Sequence, residues 1–550
     1  MRKKNVPLLL VIILIAIAAV VAGTVFLTSN SYSTEYLETS EIFGLQENEA
    51  AVLVDGNLSE EMALVINGSV FLPYDLVASF AGNPFYYETA TGRLYLTLQD
   101  ANNIWTAENN PDIVYRTGEG KVYIEAGLAD KYSDAKMTAY TEPARVSILS
   151  DVRDLTVEET AEDTQLRVNG NKRSPIIADL PAGSQVILTG ETKGWSIVTT
   201  LDGYTGCVET NKLMMTKGTG ISIERNMLTA FNRIKMNEKI RMVWHYVDVQ
   251  ENNDILDYML EDTGNINVIC PTWIYIENTD GDIYSLADRA YAENIRARNM
   301  KLWTMVSDYI GEDGDTGSIL SDPVSRENLV NGIMNVVREY GLDGVNIDFE
   351  TITGEQAPAY LQFLRELSLK THEAGVILSA DNYVPGYTAH YDRTQQAKIV
   401  DYVVIMGYDE HTEYSEEPGS VASLPFVQTG IEQTLEEVPA EQIILGVPFY
   451  TRSWKVPFGA GYFESVAISM PRAREYVAER GMKLEWNESL GQYFGASEDS
   501  TARYSIWMEE ARSLQEKLKL IDRYGLAGAS AWRLGLEEAD VWDVWNTVLK

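Results

Sequence analysis

A chain of 550 residues is too long for one hydrophobic core, so two to four domains are expected. Its apolar fraction of 45% is ordinary for globular protein, while a formal net charge of −37 at pH 7 disfavours nucleic acid and anionic membrane surfaces as partners. The two cysteines, Cys207 and Cys270, fall in separate predicted domains, so no structural disulfide is expected, and two isolated thiols make no metal cage.

In chain order, Arg2, Lys3 and Lys4 precede an uncharged apolar run over 6–27. That length is enough to span a bilayer as a helix, and the basic flank puts the remainder on the outer side. Residues 1–30 are therefore expected to form a signal anchor or transmembrane helix, with the membrane as a partner. The alanine-rich stretch 16–22 leaves cleavage, and hence secretion, open. Residues 45–140 read as short strands and turns around one helix, a small α+β module. Asp55-Gly56 and Asn67-Gly68 are hairpin signals between apolar runs. The segment I-N-G-S-V-F-L-P-Y-D-L-V-A-S-F-A-G, 66–82, resembles the copper amine oxidase N-terminal repeat. It carries no His or Cys cluster, so no copper or other cofactor is implied, and a spacer or interaction role follows.

Residues 145–217 show five short apolar runs separated by Gly and Pro turns, the spacing of a small all-β barrel. L-P-A-G-S-Q-V-I-L-T-G-E-T-K-G-W-S-I-V, 180–198, resembles bacterial SH3-like domains of cell-wall proteins, a family that often docks on peptidoglycan; Trp195 read without the resemblance is a core residue.

From 238 to 550 strands alternate with amphipathic stretches. Strands are expected at 241–247, 266–276, 301–307, 342–350, 376–382, 402–407, 442–449 and 528–533. Before the fourth, Leu329, Ile333, Val336, Val337 and Tyr340 recur at helical spacing, with Ser325 as the predicted cap and Gly341 as the stop. Eight such units make a (β/α)8 TIM barrel, whose active sites sit where strands end. An insertion at about 455–525 reads as a β-rich crossover that walls the cleft.

The fourth strand carries an unusual load. In G-L-D-G-V-N-I-D-F-E, 341–350, the residues Val345, Ile347 and Phe349 alternate with Asn346, Asp348 and Glu350, so three polar side chains point one way. Crowded carboxylates have pKa values pushed apart, which yields one acid and one base from similar groups. A divalent-cation site and a solvated acidic strand are the alternatives, but neither His nor a carboxylate loop with ligand spacing is evident nearby.

Asp343, Gly344, Asn346, Asp348 and Glu350 resemble the D-G-x-D-x-D-x-E signature of family 18 glycoside hydrolases, the chitinase-like family with a cell-wall and spore-cortex branch. The resemblance implies a general acid, Glu350, and substrate assistance, in which the N-acetyl oxygen of the sugar is the nucleophile. Asp348 would then hold the acetamido N–H. Met406-Gly407-Tyr408-Asp409 resembles the family's M-x-Y-D, giving Tyr408 a catalytic hydrogen bond to the acetamido oxygen and Asp409 a hold on the sugar. Trp532 would floor the sugar subsite, and Phe449 and Tyr450, in a G-x-P-x-Y match, would line the pocket. Asn346, among the expected substrate-binding residues, replaces a family Asp, and Val306-Ser307-Asp308-Tyr309 departs from the family's S-x-G-G. No metal or cofactor is expected. The function implied is an exported glycosidase acting on β-linked N-acetylglucosamine polymers, peptidoglycan before chitin. The alternatives are a non-catalytic, lectin-like glycan-binding barrel and a chitinase or glycoprotein-directed endo-β-N-acetylglucosaminidase.

Overall fold

The computed structural model describes residues 32–38, 41–80, 84–150, 155–215, 231–309 and 311–549. The expected membrane segment at 1–30 lies outside them; among the described residues no helix is long and apolar enough to cross a membrane. The chain divides into two compact units: Thr229–Lys550, joined by Glu88–Thr91 and Tyr95–Asn103, forms one, and the rest forms the other.

Among the described residues, two sheets lie wholly within the first unit. In one, Glu49–Val54 runs parallel to Ala144–Leu149 and antiparallel to Ala63–Ile66. The other is antiparallel throughout, built from seven strands between Val157–Thr160 and Leu213–Met215. Its core is Leu166, Leu180, Val186, Val198 and Val208. Trp195 is buried, at 9% exposure, and Cys207 is a buried free thiol.

The second unit is a closed barrel of eight parallel strands: β1 Ile240–His245, β2 Val268–Pro271, β3 Lys301–Ser307, β4 Gly344–Asp348, β5 Ile377–Tyr383, β6 Tyr402–Met406, β7 Ile443–Pro448 and β8 Gly528–Trp532. β1 pairs with β8 and β2 with β3, which closes the ring. The run expected as one long second strand, 266–276, is broken in two. Pro271 ends β2, and Ile274–Ile276 pairs β3 on one side and Ile283–Ser285 on the other. The interior is filled by Met242, Trp244, Val268, Cys270, Trp303, Met305 and Val404, all buried.

Helix α1, Pro323–Tyr340, leads into β4. Its cap is Asp322 rather than Ser325: the Asp322 carboxylate accepts from Ser325 N (2.8 Å) and Ser325 Oγ (2.9 Å), because Pro323 occupies the first helical position and fixes the boundary one residue before it. Gly341 ends the helix with φ 64°, a left-handed turn that lets the chain enter β4 without a Cβ clash.

The insertion after β7 is a five-stranded antiparallel sheet running from Tyr450–Pro457 to Ala502–Trp507, with the helix Met470–Glu479 between its strands. It leads into helix α2, Ala511–Tyr524, which is anchored by a buried ion pair. Lys517 Nζ lies 2.9 and 3.0 Å from the Glu509 carboxylate oxygens, with both side chains fully covered. Ser513 and Gln492 donate to the same carboxylate. Two charges out of water are stable only while both are present. Lys517→Met is therefore expected to cost about 3–5 kcal/mol, since it strands Glu509 as a lone buried anion. A denaturant titration reads this as a lower unfolding midpoint with an unchanged slope.

Candidate active site

β4 reaches the site by close packing. An added Cβ at Gly344 would come within 2.4 Å of the Trp303 indole, so the strand can lie against that ring only with glycine there. From Gly344 the alternation sends Asn346, Asp348 and then Glu350 inward, while Val345, Ile347 and Phe349 face the helices and are buried.

The three polar residues occupy different depths. Asn346 is fully buried. Its Oδ1 accepts from Trp244 Nε1 (2.9 Å), and its Nδ2 donates to Asp381 Oδ1 (2.7 Å) and Ser379 Oγ (3.0 Å). It therefore supports the layer under the pocket and has no surface to offer a ligand, which corrects its expected place among the substrate-binding residues. Asp348 stands above it, with Oδ1 sealed from solvent and without a hydrogen-bond partner. Burial, then the charges of Asp381, Glu350 and Asp308, hold its carboxyl far above the usual range. Glu350 is open to solvent at the cleft mouth and walled in by protein on its other sides. Burial also raises its pKa, and a hydrogen bond from the Tyr383 hydroxyl works against that. Glu350 beside it adds to the rise at Asp348, and the two carboxyls titrate as a pair.

Asp308, at the end of β3, fixes the tip of β4. Its carboxylate accepts from the backbone N–H of Glu350 (2.6 Å) and of Thr351 (3.1 Å), and from Thr351 Oγ1 (3.1 Å). The residues of β6 and β7 arrive from the far side. Tyr408 is buried, with its hydroxyl pushed up by burial and by Asp381. Asp409 follows with φ 57°, a left-handed conformation that costs a non-glycine residue of order 1–3 kcal/mol and clusters at functional sites. Tyr450 donates to Asp409 Oδ1 (2.5 Å) and meets the Tyr408 ring edge-on at 6.3 Å. Trp532, at the end of β8, is half-buried and meets Trp244 edge-on at 5.9 Å.

Phe449 does not line the pocket. It is fully buried and packs edge-on against Trp542 (5.5 Å) and Trp545 (6.0 Å) of helix α3, Asp540–Val548. Tyr450 takes the inward phase, so its neighbour Phe449 points out.

Over Glu350 opens a cleft of about 610 Å³, lined by Tyr383, Tyr387, Asp409, Glu413, Tyr414 and Arg452 among others. Tyr387 and Tyr414 are exposed aromatic faces there, at 55% and 90%; sugar C–H faces pack on such rings. Arg452 pairs with Glu413 across it (2.5 Å). Asp308, Asp381 and Tyr383 were not read from the sequence as site residues, nor were Tyr387, Glu413, Tyr414 and Arg452 of the cleft. For Asp381 and Tyr383 the signal exists, since Ser379, Asp381 and Tyr383 alternate along β5 as Asn346, Asp348 and Glu350 do along β4. Among the described residues no group of His, Cys, Asp and Glu is arranged to hold a metal ion.

Comparison with known proteins bears on the same unit. The model of "Glycosyl hydrolases family 18" matches residues 242–537, over half of the chain. The cortical fragment-lytic enzyme of Bacillus subtilis (strain 168) is 31% identical over 245 residues, 42% of this chain and 56% of that protein. YdhD of the same organism is 33% identical over 226 residues, 40% of this chain and 53% of its own length. The chain thus spans about half the length of these two curated relatives. Among solved structures, the Bacillus cereus spore cortex-lytic enzyme aligns with a TM-score of 0.51 at 21% identity, covering 62% of this chain and 79% of that one, a likeness of fold.

Proposed function

The chain belongs to glycosyl hydrolase family 18, and from that premise we propose that it is an exported glycosidase that hydrolyses β-linked N-acetylglucosamine bonds in peptidoglycan, with the substrate's own N-acetyl group as nucleophile. The observation that carries the reading is the succession of two inward carboxyls, Asp348 and Glu350, at the end of β4, with an open cleft over Glu350. A 2-acetamido sugar seated there donates its N–H to Asp348, which favours the ionised form of Asp348 and passes the resting proton to Glu350. Glu350 then protonates the glycosidic oxygen as the acetamido carbonyl oxygen attacks C1 and the C1–O bond breaks. Asp348 balances the positive charge of the oxazolinium ion. Glu350, now a carboxylate, takes a proton from water as its oxygen adds to C1 and the bond between C1 and the acetamido oxygen breaks, which frees the N-acetyl group and restores the starting anomer.

Tyr408 donates to the acetamido oxygen, while Asp409 and Trp532 hold the sugar that is being distorted. The name of the cortical fragment-lytic relative supports a wall polymer as substrate. The apolar run over 6–27 supports presentation outside the membrane, and the all-β module over 145–217, SH3-like by its sequence, would dock or space the barrel on the wall.

The test is to incubate the protein with purified peptidoglycan and, separately, with chitin, and to analyse new reducing ends by mass spectrometry. N-acetylglucosamine ends from peptidoglycan alone are expected. Ends from chitin alone would move the enzyme to a chitinase, and none from either would overturn the hydrolase in favour of a glycan-binding barrel.

A further inference from the structure

Asp381 is a buried carboxyl that the catalytic steps above do not use. It lies on β5, whose register with β4 pairs Asn346 with Ser379 and Ile347 with Ala380, so Asp381 comes level with Asp348 on the inward phase. It is 2% exposed, and its Oδ2 has no hydrogen-bond partner, like Asp348 Oδ1 above. Buried carboxylate oxygens are normally satisfied, so two such atoms on adjacent inward side chains call for a cause.

We propose that Asp381 is a positioning residue for Asp348: it supplies, from the neighbouring strand, the carboxylate that position 346 lacks, and so keeps the proton of the Asp348–Glu350 pair in place until substrate arrives. The proposal rests on the glycosidase reading above.

The amide of Asn346 has one orientation open to it. The indole N–H of Trp244 can only donate, so the atom of Asn346 that faces it must be the oxygen. The amide NH2 is thereby turned to Asp381 Oδ1, at 2.7 Å. Burial holds the Asp381 carboxyl well above the usual range, and this fixed donor works against it; Asp348 has no donor that does so, and Asp381 is therefore the readier of the two facing carboxyls to ionise. Once ionised, Asp381 stands level with Asp348 and, after burial, is the first neighbour to hold the Asp348 carboxyl up.

The other groups that face the pair do not take over this task. Cys270 on β2 and Tyr408 just after β6 are buried and held neutral, as is Tyr360 behind the site. Glu350 and Asp308 lie toward the cleft, above Asp348, and the hydroxyl of Tyr383 belongs to Glu350. Asp381 is the carboxyl level with Asp348, in hydrogen-bond contact with the residue at the substituted position. An Asp at 346 in the family pattern and an Asp at 381 here are thus two ways to place a second carboxyl next to Asp348.

The experiment measures the pH dependence of kcat and kcat/KM on peptidoglycan for the full chain, for D381N, and for the exchange variant N346D/D381N. Loss of the charge in D381N is expected to lower kcat about tenfold and to move the alkaline limb of the profile down by about one pH unit, because the pair releases its proton more readily. KM should change less, since Asp381 does not touch the sugar. The exchange variant keeps a carboxylate–amide contact with its direction reversed, and it is expected to return the limb toward the wild-type position. A wild-type profile in D381N overturns the proposal. So does an exchange variant that stays at the D381N position or fails to turn over. Should D381N fail to fold, the exchange variant decides alone on the same terms. An inactive wild-type chain, by contrast, would count against the glycosidase reading itself, so the two failures are distinct.

Discussion

Replacing Glu350 with glutamine is expected to lower kcat by roughly 10²–10⁴-fold, the range that one positioned acid–base group contributes. The amide keeps the shape of the side chain. The two backbone bonds to Asp308 that hold the tip of β4 do not involve the replaced atoms, and Tyr383 can still donate to the remaining oxygen. What is lost is the proton for the leaving oxygen. Binding of N-acetylglucosamine oligomers, followed by calorimetry or by tryptophan fluorescence, is expected to stay close to wild type. A variant that keeps most of its turnover contradicts the assignment of the acid, and one that also loses binding shows a distorted cleft.

The second large effect is expected at Asp348. Asp348→Asn keeps a neutral side chain where burial and three neighbouring carboxylates already favour a neutral one, so folding should be preserved. The amide, however, can neither release a proton to Glu350 nor become the anion that balances an oxazolinium ion. A loss of about 10²–10³-fold in kcat is expected, with a smaller change in KM, because the missing interaction forms as charge develops. Thermal melting should show the variant at least as stable as the parent, since a buried carboxyl with an unpartnered oxygen is removed. Steady-state kinetics and a melting curve together check both statements; a variant that melts early and turns over normally would contradict each.

The site was legible where local periodicity carries it. Asn346, Asp348 and Glu350 stand out because Val345, Ile347 and Phe349 fix the opposite phase, and the two-residue period follows from strand geometry alone. The same period was present in Ser379, Asp381 and Tyr383, but the apolar run before them reads as an ordinary buried strand, and nothing local says that its polar phase meets β4. The contact of Trp244 with Asn346 joins positions 102 apart, and only the closure of the barrel brings them together. Phe449 was misplaced by motif. G-x-P-x-Y puts it beside the pocket in sequence, whereas the alternation around Tyr450 sends it outward against Trp542 and Trp545. The second strand failed for a different reason: an unbroken apolar run hides the stop at Pro271, and the partner of Ile274–Ile276 lies further along the chain. At the cap of α1, Asp322 and Ser325 are both good cap residues. The deciding signal was Pro323, whose missing N–H suits the first helical position.

In the proposed reaction the substrate takes part in its own hydrolysis. The most direct measurement compares release of reducing ends from peptidoglycan before and after chemical removal of the N-acetyl groups, with the same enzyme and by the same mass-spectrometric readout. Cleavage of the acetylated polymer and loss of cleavage in the de-N-acetylated one is the expected result. Comparable cleavage of both would mean that a side chain, not the acetamido oxygen, attacks the sugar, and the roles given to Asp348 and Tyr408 would fall with it.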